Sequence, residues 1–210
     1  MKTHTDIINF IIDRYKFQSY LEIGVDYLQD NFNNIDVSIK QGIQNEYYMI
    51  PSPCILSDAF FNDKDFINDK YDVIFVKGLR TTDQCYKDIC NSITQLNNNG
   101  YIIIHDCIPL DEFHTRDYYA YLVDAQDYIW NGTVYKAFIR LKNELINWSC
   151  FVINENMGCG ILTKRKILTN IRTNVEIENL SWDDFDKNKN ELLQIISYKE
   201  FEDIIKKDSI

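Results

Sequence analysis

The chain has 210 residues and a formal net charge of −10, with 22 Lys and Arg against 32 Asp and Glu. So acidic a balance argues against a nucleic-acid backbone or an anionic membrane surface as partner, because both require a basic footprint. Hydrophobic residues make up 45% and charged residues 26%, which fits one globular domain over residues 1–210 with a sizeable core.

Residues 1–13 carry no signal-peptide pattern, and no apolar run approaches the length of a membrane span, so the chain is expected to be cytoplasmic. The six cysteines, Cys54, Cys85, Cys90, Cys107, Cys150 and Cys159, form no C-x-x-C pair and read as buried reduced thiols. Asn131-Gly132-Thr133 and Asn147-Trp148-Ser149 match the glycosylation acceptor pattern and read as chance occurrences.

In chain order, Ile8, Ile11, Ile12 and Tyr15 place one apolar face on a helix over residues 6–17. Residues 19–25 read as a first strand, interrupted only by Glu22 and ending beyond Gly24. A second apolar run covers residues 37–43. Pro51-Ser52-Pro53 breaks the chain, after which residues 54–58 read as a short strand and Ala59-Phe60-Phe61 as a helix start. Residues 71–78 are nearly continuous in apolar side chains, as a strand buried on both faces must be.

Thr81 and Gln84 have the spacing of a capping box, followed by a stripe of Tyr86, Ile89, Ile93 and Leu96. Gly100, after three asparagines, predicts a left-handed helix end. Residues 101–107 form the next buried strand, and 108–132 read as an irregular acidic and aromatic connection. Val134, Phe138, Leu141 and Leu145 fit a helix. Residues 148–153 and 159–163 predict a hairpin turned at 154–158, and residues 181–206 a helical tail.

Alternating strands and helices imply a mostly parallel sheet covered on both faces. Ligands in such sheets lie beyond the carboxyl ends of the strands. That places residues 24–28, 44–46, 77–80 and 105–107 around any site.

At these strand ends the sequence resembles a known family. Tyr20-Leu21-Glu22-Ile23-Gly24-Val25, Tyr71-Asp72-Val73-Ile74-Phe75-Val76-Lys77-Gly78-Leu79 and Tyr101-Ile102-Ile103-Ile104-His105-Asp106-Cys107 look like the class I S-adenosylmethionine-dependent methyltransferases. The small sugar- or glycan-associated branch is the nearest. Trp130-Asn131-Gly132-Thr133-Val134-Tyr135-Lys136-Ala137 and the tail segment Ser181-Trp182-Asp183-Asp184-Phe185 resemble that branch too.

The resemblance implies an α/β doubly wound, mostly parallel seven-stranded sheet whose last two strands form a C-terminal antiparallel hairpin. It implies S-adenosylmethionine as cofactor, held by Glu22, Gly24 and Gln44 or Glu46. It implies O-methylation of a sugar or glycan hydroxyl, with His105 as base beside Asp106 and with Lys77 and Arg80 binding the substrate. No metal ligand is expected.

Four positions depart from the family pattern. Leu28 stands where the family has a glycine, and Gln44 where it has a ribose-binding acid. Lys77-Gly78-Leu79-Arg80 replaces Asp-Gly-Leu-His, so a carboxylate has become an ammonium and a candidate base a guanidinium. These changes support an alternative: a catalytically inactive relative that binds a glycan or a protein. A different nucleotide-ligand enzyme on the same sheet is a third, weaker option.

Individual residues carry competing readings. His105 with Asp106 is a general base with its charge partner, a pair of metal or substrate contacts, or a strand-end pair bonded to nearby backbone. Lys77 and Arg80 bind an anionic group, or pair with Asp106, Asp111 and Glu112, and the pairing is slightly favoured. Glu22 is expected to orient the first loop. His114 reads as a solvent position. Tyr118, Tyr119, Tyr121, Tyr128 and Trp130 fit a sugar-binding wall, and helix packing or a subunit contact in a homo-oligomer accounts for them equally well.

Overall fold

A computed structural model describes residues 1–25, 30–44, 56–125, 127 and 129–208, and in α-helices leaves aside the side chains of Leu56 and Tyr119. Expectations that fall on Leu28, Glu46, Cys54 and Tyr128 therefore lie outside the described residues.

The strands are β1 (Ser19–Val25), β2 (Ile39–Gln44), β3 (Tyr71–Val76), β4 (Leu96–Ile104), β5 (Ser149–Ile153), β6 (Cys159–Thr163) and β7 (Ile195–Ile196). They form one sheet in the order β2-β1-β3-β4-β6-β5-β7. Strands β2, β1, β3 and β4 are parallel. β6 runs antiparallel to both β4 and β5, and β7 adds in parallel to β5. The doubly wound seven-stranded sheet with its antiparallel hairpin is thus present. The hairpin supplies the fifth and sixth strands, and the seventh arises in the tail, where a wholly helical segment was expected.

The helices are α1 (His4–Tyr15), α2 (Asp30–Asn33), α3 (Leu56–Asn62), α4 (Thr82–Gln95), α5 (Tyr118–Asp124), α6 (Val134–Glu144), α7 (Trp182–Leu193) and α8 (Tyr198–Lys207). Side-chain alternation along the strands divides the core. Leu21, Ile23, Ile74, Val76, Ile102 and Ile104 face α3, α4, α6 and α7. Tyr20, Val73, Phe75, Tyr101, Ile103 and Ile161 face α1 and α8. Ile7, Ile8 and Ile11 on α1 are fully buried, and each such side chain contributes roughly 1.5–3 kcal/mol.

Several local expectations are corrected. α1 starts at His4, two residues early, because Thr3 and Asp6 form a full capping box: the Asp6 amide donates to the Thr3 hydroxyl, and the Thr3 amide to the Asp6 carboxylate. At α4 only half of the box forms. The Thr81 hydroxyl accepts from the Gln84 amide, but the Gln84 side chain turns inward to Asp58 and Asp88. The buried line of α4 carries Gln84, Asp88, Ser92 and Gln95 beside Cys85 and Ile89, while Tyr86 and Ile93 are half-buried.

Gly100 is not left-handed. Leu96 ends α4 by turning extended and pairs with Tyr71. Glycine is required at 100 because a Cβ there would lie 2.5 Å from the Asp72 carbonyl oxygen. Residues 56–58, expected as strand, are the first turn of α3. Part of the 108–132 connection is ordered into a 3-10 turn, Phe113–Thr115, and α5. The five described cysteines are free thiols, and burial pushes Cys150 and Cys159 up to about 12. No described helix is long and apolar enough to cross a membrane.

Candidate active site

Backbone pairing persists past the ends of the central strands. The His105 amide donates to the Val76 carbonyl at 3.0 Å, and the Lys77 amide donates to the Ile23 carbonyl at 2.8 Å. His105 is thereby fixed at the carboxyl end of β4, beside the ends of β3 and β1. Asp106 then leaves the strand with φ +63. The next two amides, of Cys107 and Ile108, donate to the carbonyls of Gly158 and Met157 in the β5–β6 turn.

Asp106 is the electrostatic centre of this end of the sheet, at 2% exposure. One carboxylate oxygen, Oδ2, lies 2.7 Å from Arg80 Nε and 2.9 Å from His105 Nδ1. Both contacts have ion-pair length. The other oxygen, Oδ1, accepts from Asn131 Nδ2 at 2.9 Å. Burial pushes the carboxyl up, but the charges of His105 and Arg80 and the contacts from His105 and Asn131 outweigh it and hold Asp106 at about 2. Asp106 is therefore an anion throughout the neutral range.

Its partners are themselves anchored. Arg80 Nη1 donates to the Trp130 carbonyl at 2.6 Å, and the Arg80 carbonyl accepts from the Thr133 amide. Gly132, at φ +60, passes so close that a Cβ would sit 2.0 Å from the Arg80 oxygen. Asn131 is fully buried and also accepts from the Leu110 amide. Arg80 thus makes the pairing with Asp106 named as one of its two sequence readings. Asp111 instead contacts His114, with Oδ1 2.7 Å from Nδ1.

On its other side, His105 Nε2 lies 3.1 Å from the Asn156 amide nitrogen. The same nitrogen lies 2.5 Å from His4 Nδ1. The His4 ring stacks on Phe75 at 5.1 Å and meets His105 edge-on at 5.0 Å. Sequence reasoning missed His4, Asn131 and Asn156. For Asn131 the glycosylation-like triplet drew attention to the wrong chemistry. The capping box that starts α1 at His4 was the one local signal for the first histidine.

The cofactor-side candidates take different positions. Glu22 is buried on the α1 face, where it accepts from Tyr20 Oη and Asn31 Nδ2, each at 2.6 Å. Asn31 in turn accepts from the Thr5 hydroxyl. Gly24 adopts φ +92, and a Cβ there would lie 2.2 Å from the Lys77 carbonyl oxygen. The tight seam between β1 and β3 therefore requires a glycine on its own account. Gln44 is exposed at the end of β2, in register with Val25. Lys77 is half-buried at the end of β3.

His114 is not a solvent position. It is 7% exposed, with Nδ1 2.7 Å from Asp111 and Nε2 3.3 Å from Asp127. Burial pushes the ring down, but hydrogen bonds and charge from both carboxylates more than reverse it and raise its pKa. Its carbonyl accepts from the amides of Asn131 and Gly132, which links this clamp to Asp106. Tyr121 and Trp130 are buried and bonded within the connection, to Asp127 and to the Arg116 carbonyl. Among the described residues, no three His, Cys, Asp or Glu side chains are grouped to hold a metal ion.

No protein-family model matches the sequence, and no curated protein matches it either. Solved structures do match. A Staphylococcus aureus protein provisionally assigned as a caffeoyl-CoA O-methyltransferase is 17% identical, with 79% of this chain and 84% of that chain covered at a TM-score of 0.50. An SAH-bound methyltransferase from Podospora anserina is 14% identical over 79% of this chain and 80% of its own, at a TM-score of 0.49. An O-methyltransferase from Bacillus cereus in complex with SAH is 10% identical over 77% and 80%, also at 0.49. At such identities the likeness is one of fold, and the fold is the Rossmann-like one of the methyltransferases.

Proposed function

We propose that this chain transfers a methyl group from S-adenosylmethionine to a hydroxyl of a small-molecule acceptor, in the finer reading a sugar or glycan. The observation that carries the proposal is the His105–Asp106 pair at the carboxyl end of β4. Asp106 stays ionised and sits 2.9 Å from Nδ1, which favours the ring with Nδ1 protonated and a lone pair on Nε2. A base of that form accepts the proton of an attacking hydroxyl, and Asp106 stabilises the imidazolium that results.

The described residues at the cofactor side fit this use. Gly24 turns the end of β1 through a left-handed conformation, and the exposed Gln44 amide beside it can both donate to and accept from a ribose diol. When bound, S-adenosylmethionine supplies the electrophilic methyl carbon on its sulfonium. Glu22 would act through Asn31 and Tyr20 by holding the start of α2 against β1. Lys77 would place a positive charge near an anionic acceptor group, and Arg80 would act through Asp106 as a positioning residue.

A second reading, ligand binding without turnover, is favoured by one observation: Arg80 Nε lies 2.7 Å from Asp106, a contact that engages the guanidinium with the carboxylate beside the proposed base. Calorimetric titration with S-adenosylmethionine and S-adenosylhomocysteine tests both. Absence of heat and of any thermal shift at millimolar ligand would rule out the transferase reading. If the cofactor binds, His105→Ala is expected to abolish transfer and leave cofactor affinity intact, and unchanged turnover would remove His105 from the base role.

A further inference from the structure

Two groups of exposed apolar side chains lie at opposite ends of the sheet. Singly exposed apolar residues are ordinary on a protein surface, whereas grouped ones mark contact sites. The first group lies on α5. Its inward residue is Tyr121, at 2% exposure, while Ala120 is exposed and Leu122 and Val123 are 50% and 81% exposed. The connection that carries α5 leaves the carboxyl end of β4 at Asp106 and returns there through Asn131, which donates to Asp106. It holds Asp111, Glu112, Asp117, Asp124 and Asp127 against Arg116 and His114. Asp117 and Asp124 bracket the helix, and both are exposed.

The second group lies at the other end. Thr163, the last residue of β6, pairs with Tyr101 in β4 and with Ser149, the first residue of β5. Residues 145–148 and 164–172 therefore meet near the amino end of the parallel strands. Asn170 Nδ2 donates to the Leu145 carbonyl at 3.1 Å, the Ile171 carbonyl accepts from Lys142 Nζ, and Lys164 Nζ lies 5.4 Å from the centre of the Trp148 ring. Ile146 and Ile171 are 63% and 53% exposed. Residues 164–172 contain Lys164, Arg165, Lys166 and Arg172 and no acid. Arg165 turns back to Asp208, while Lys164, Lys166 and Arg172 are exposed.

We propose that these two surfaces join copies of this chain head to tail. The acid-rimmed face of α5 in one copy seats on the basic-rimmed surface around Ile146 and Ile171 of the next. Charge decides the occupant. Packing α5 against α5 across a two-fold axis would bring the aspartates of both copies together, and an anionic membrane would meet the same repulsion. The chain itself carries the complement, apolar where α5 is apolar and basic where its rim is acidic. The two surfaces differ, so the contact is heterologous, and copies add in a closed ring or an open row. Two turns of helix make a small interface, and a net charge of −10 on each copy opposes approach, so the association is weak. At physiological ionic strength the Debye length of about 8 Å screens that long-range repulsion more than it screens opposite charges in contact.

The test is sedimentation velocity of the intact protein at physiological salt and up to millimolar concentration, for wild type, Val123→Asp and Ile171→Asp. Wild type is expected to sediment faster as its concentration rises. Each variant alone should stay monomeric, because Val123→Asp spoils one surface and Ile171→Asp the other. An equimolar mixture of the two should form a dimer that grows no further, since the sound α5 of one variant meets the sound basic surface of the other. Lys164→Glu with Arg172→Glu leaves the apolar residues in place and should replace Ile171→Asp in the mixture with the same result. A wild type that is monomeric at every concentration would overturn the proposal. Assembly that Val123→Asp abolishes and Ile171→Asp leaves intact would do so too, since it reports a two-fold contact through α5. So would the absence of a dimer from both mixtures.

Discussion

Asp106→Asn removes the charge at the centre of the strand-end cluster and keeps its shape. The carboxyl is lowered from 3.8 to about 2 in the fold, a difference of nearly two pH units at 1.36 kcal/mol each, or about 2 kcal/mol. Because the folded value is the depressed one, this stabilisation is complete above pH 4 and is lost as pH falls through 2. At 2% exposure the group is not screened by solvent. Urea unfolding of wild type and variant at several pH values between 2 and 7 measures it. Expected is a variant less stable by about 2 kcal/mol or more at pH 7, with the gap narrowing by most of that amount as the pH reaches 2. A gap that stays constant across the range would show that Asp106 is not held ionised by His105 and Arg80, and the base proposed for His105 would lose its orienting partner.

Asp88, nearly fully buried on α4, behaves oppositely: burial, the largest cause, raises its carboxyl to about 6. Its stabilisation is present below pH 3.8 and lost by pH 6, so Asp88→Asn is expected to stabilise the protein at pH 7 by up to about 3 kcal/mol and to have little effect at pH 4, as measured by denaturant midpoints. Gly132→Ala is expected to cost at least 1–2 kcal/mol, since it combines φ +60 with a Cβ 2.0 Å from the Arg80 oxygen, and a lowered melting temperature would record it. The raised pKa of His114 means that the clamp to Asp111 and Asp127 is complete below the ordinary histidine value and weakens as pH rises through the raised one. The amides of Asn131 and Gly132 should then exchange hydrogen faster at pH 8 than intrinsic rates predict, and His114→Gln should remove that excess.

The central strands were legible because burial on both faces writes a continuous apolar run, and β1 occupies the predicted residues 19–25. The hairpin was legible from two such runs around a polar turn. β7 was not, since two residues between helices carry no periodicity. Gly100 shows a different limit: the sequence announces that a Cβ is forbidden there, but not whether the reason is a positive φ or a neighbouring carbonyl. His105, Asp106 and Arg80 could be placed at strand ends from topology. The partnership of Arg80 with Asp106 was one of two readings open until the distance was known. His4 and Asn156 could not be found, because α1 and the β5–β6 turn lie 152 residues apart in sequence and meet only in the folded chain. His114 was misread because its two carboxylates come from either side of α5.

The contact between His4 and Asn156 spans 152 residues of sequence. Closing so long a segment costs only about 0.6 kcal/mol more than closing one half its length, so it is the packing of α1 on the sheet that has to hold the two ends together. The paired imidazoles are adjacent only when α1, β4 and the β5–β6 turn are all in their native places. A partly folded chain can present His105 and Asp106 without the other half of the pair, so a signal from His4 doubles as a marker that folding is complete.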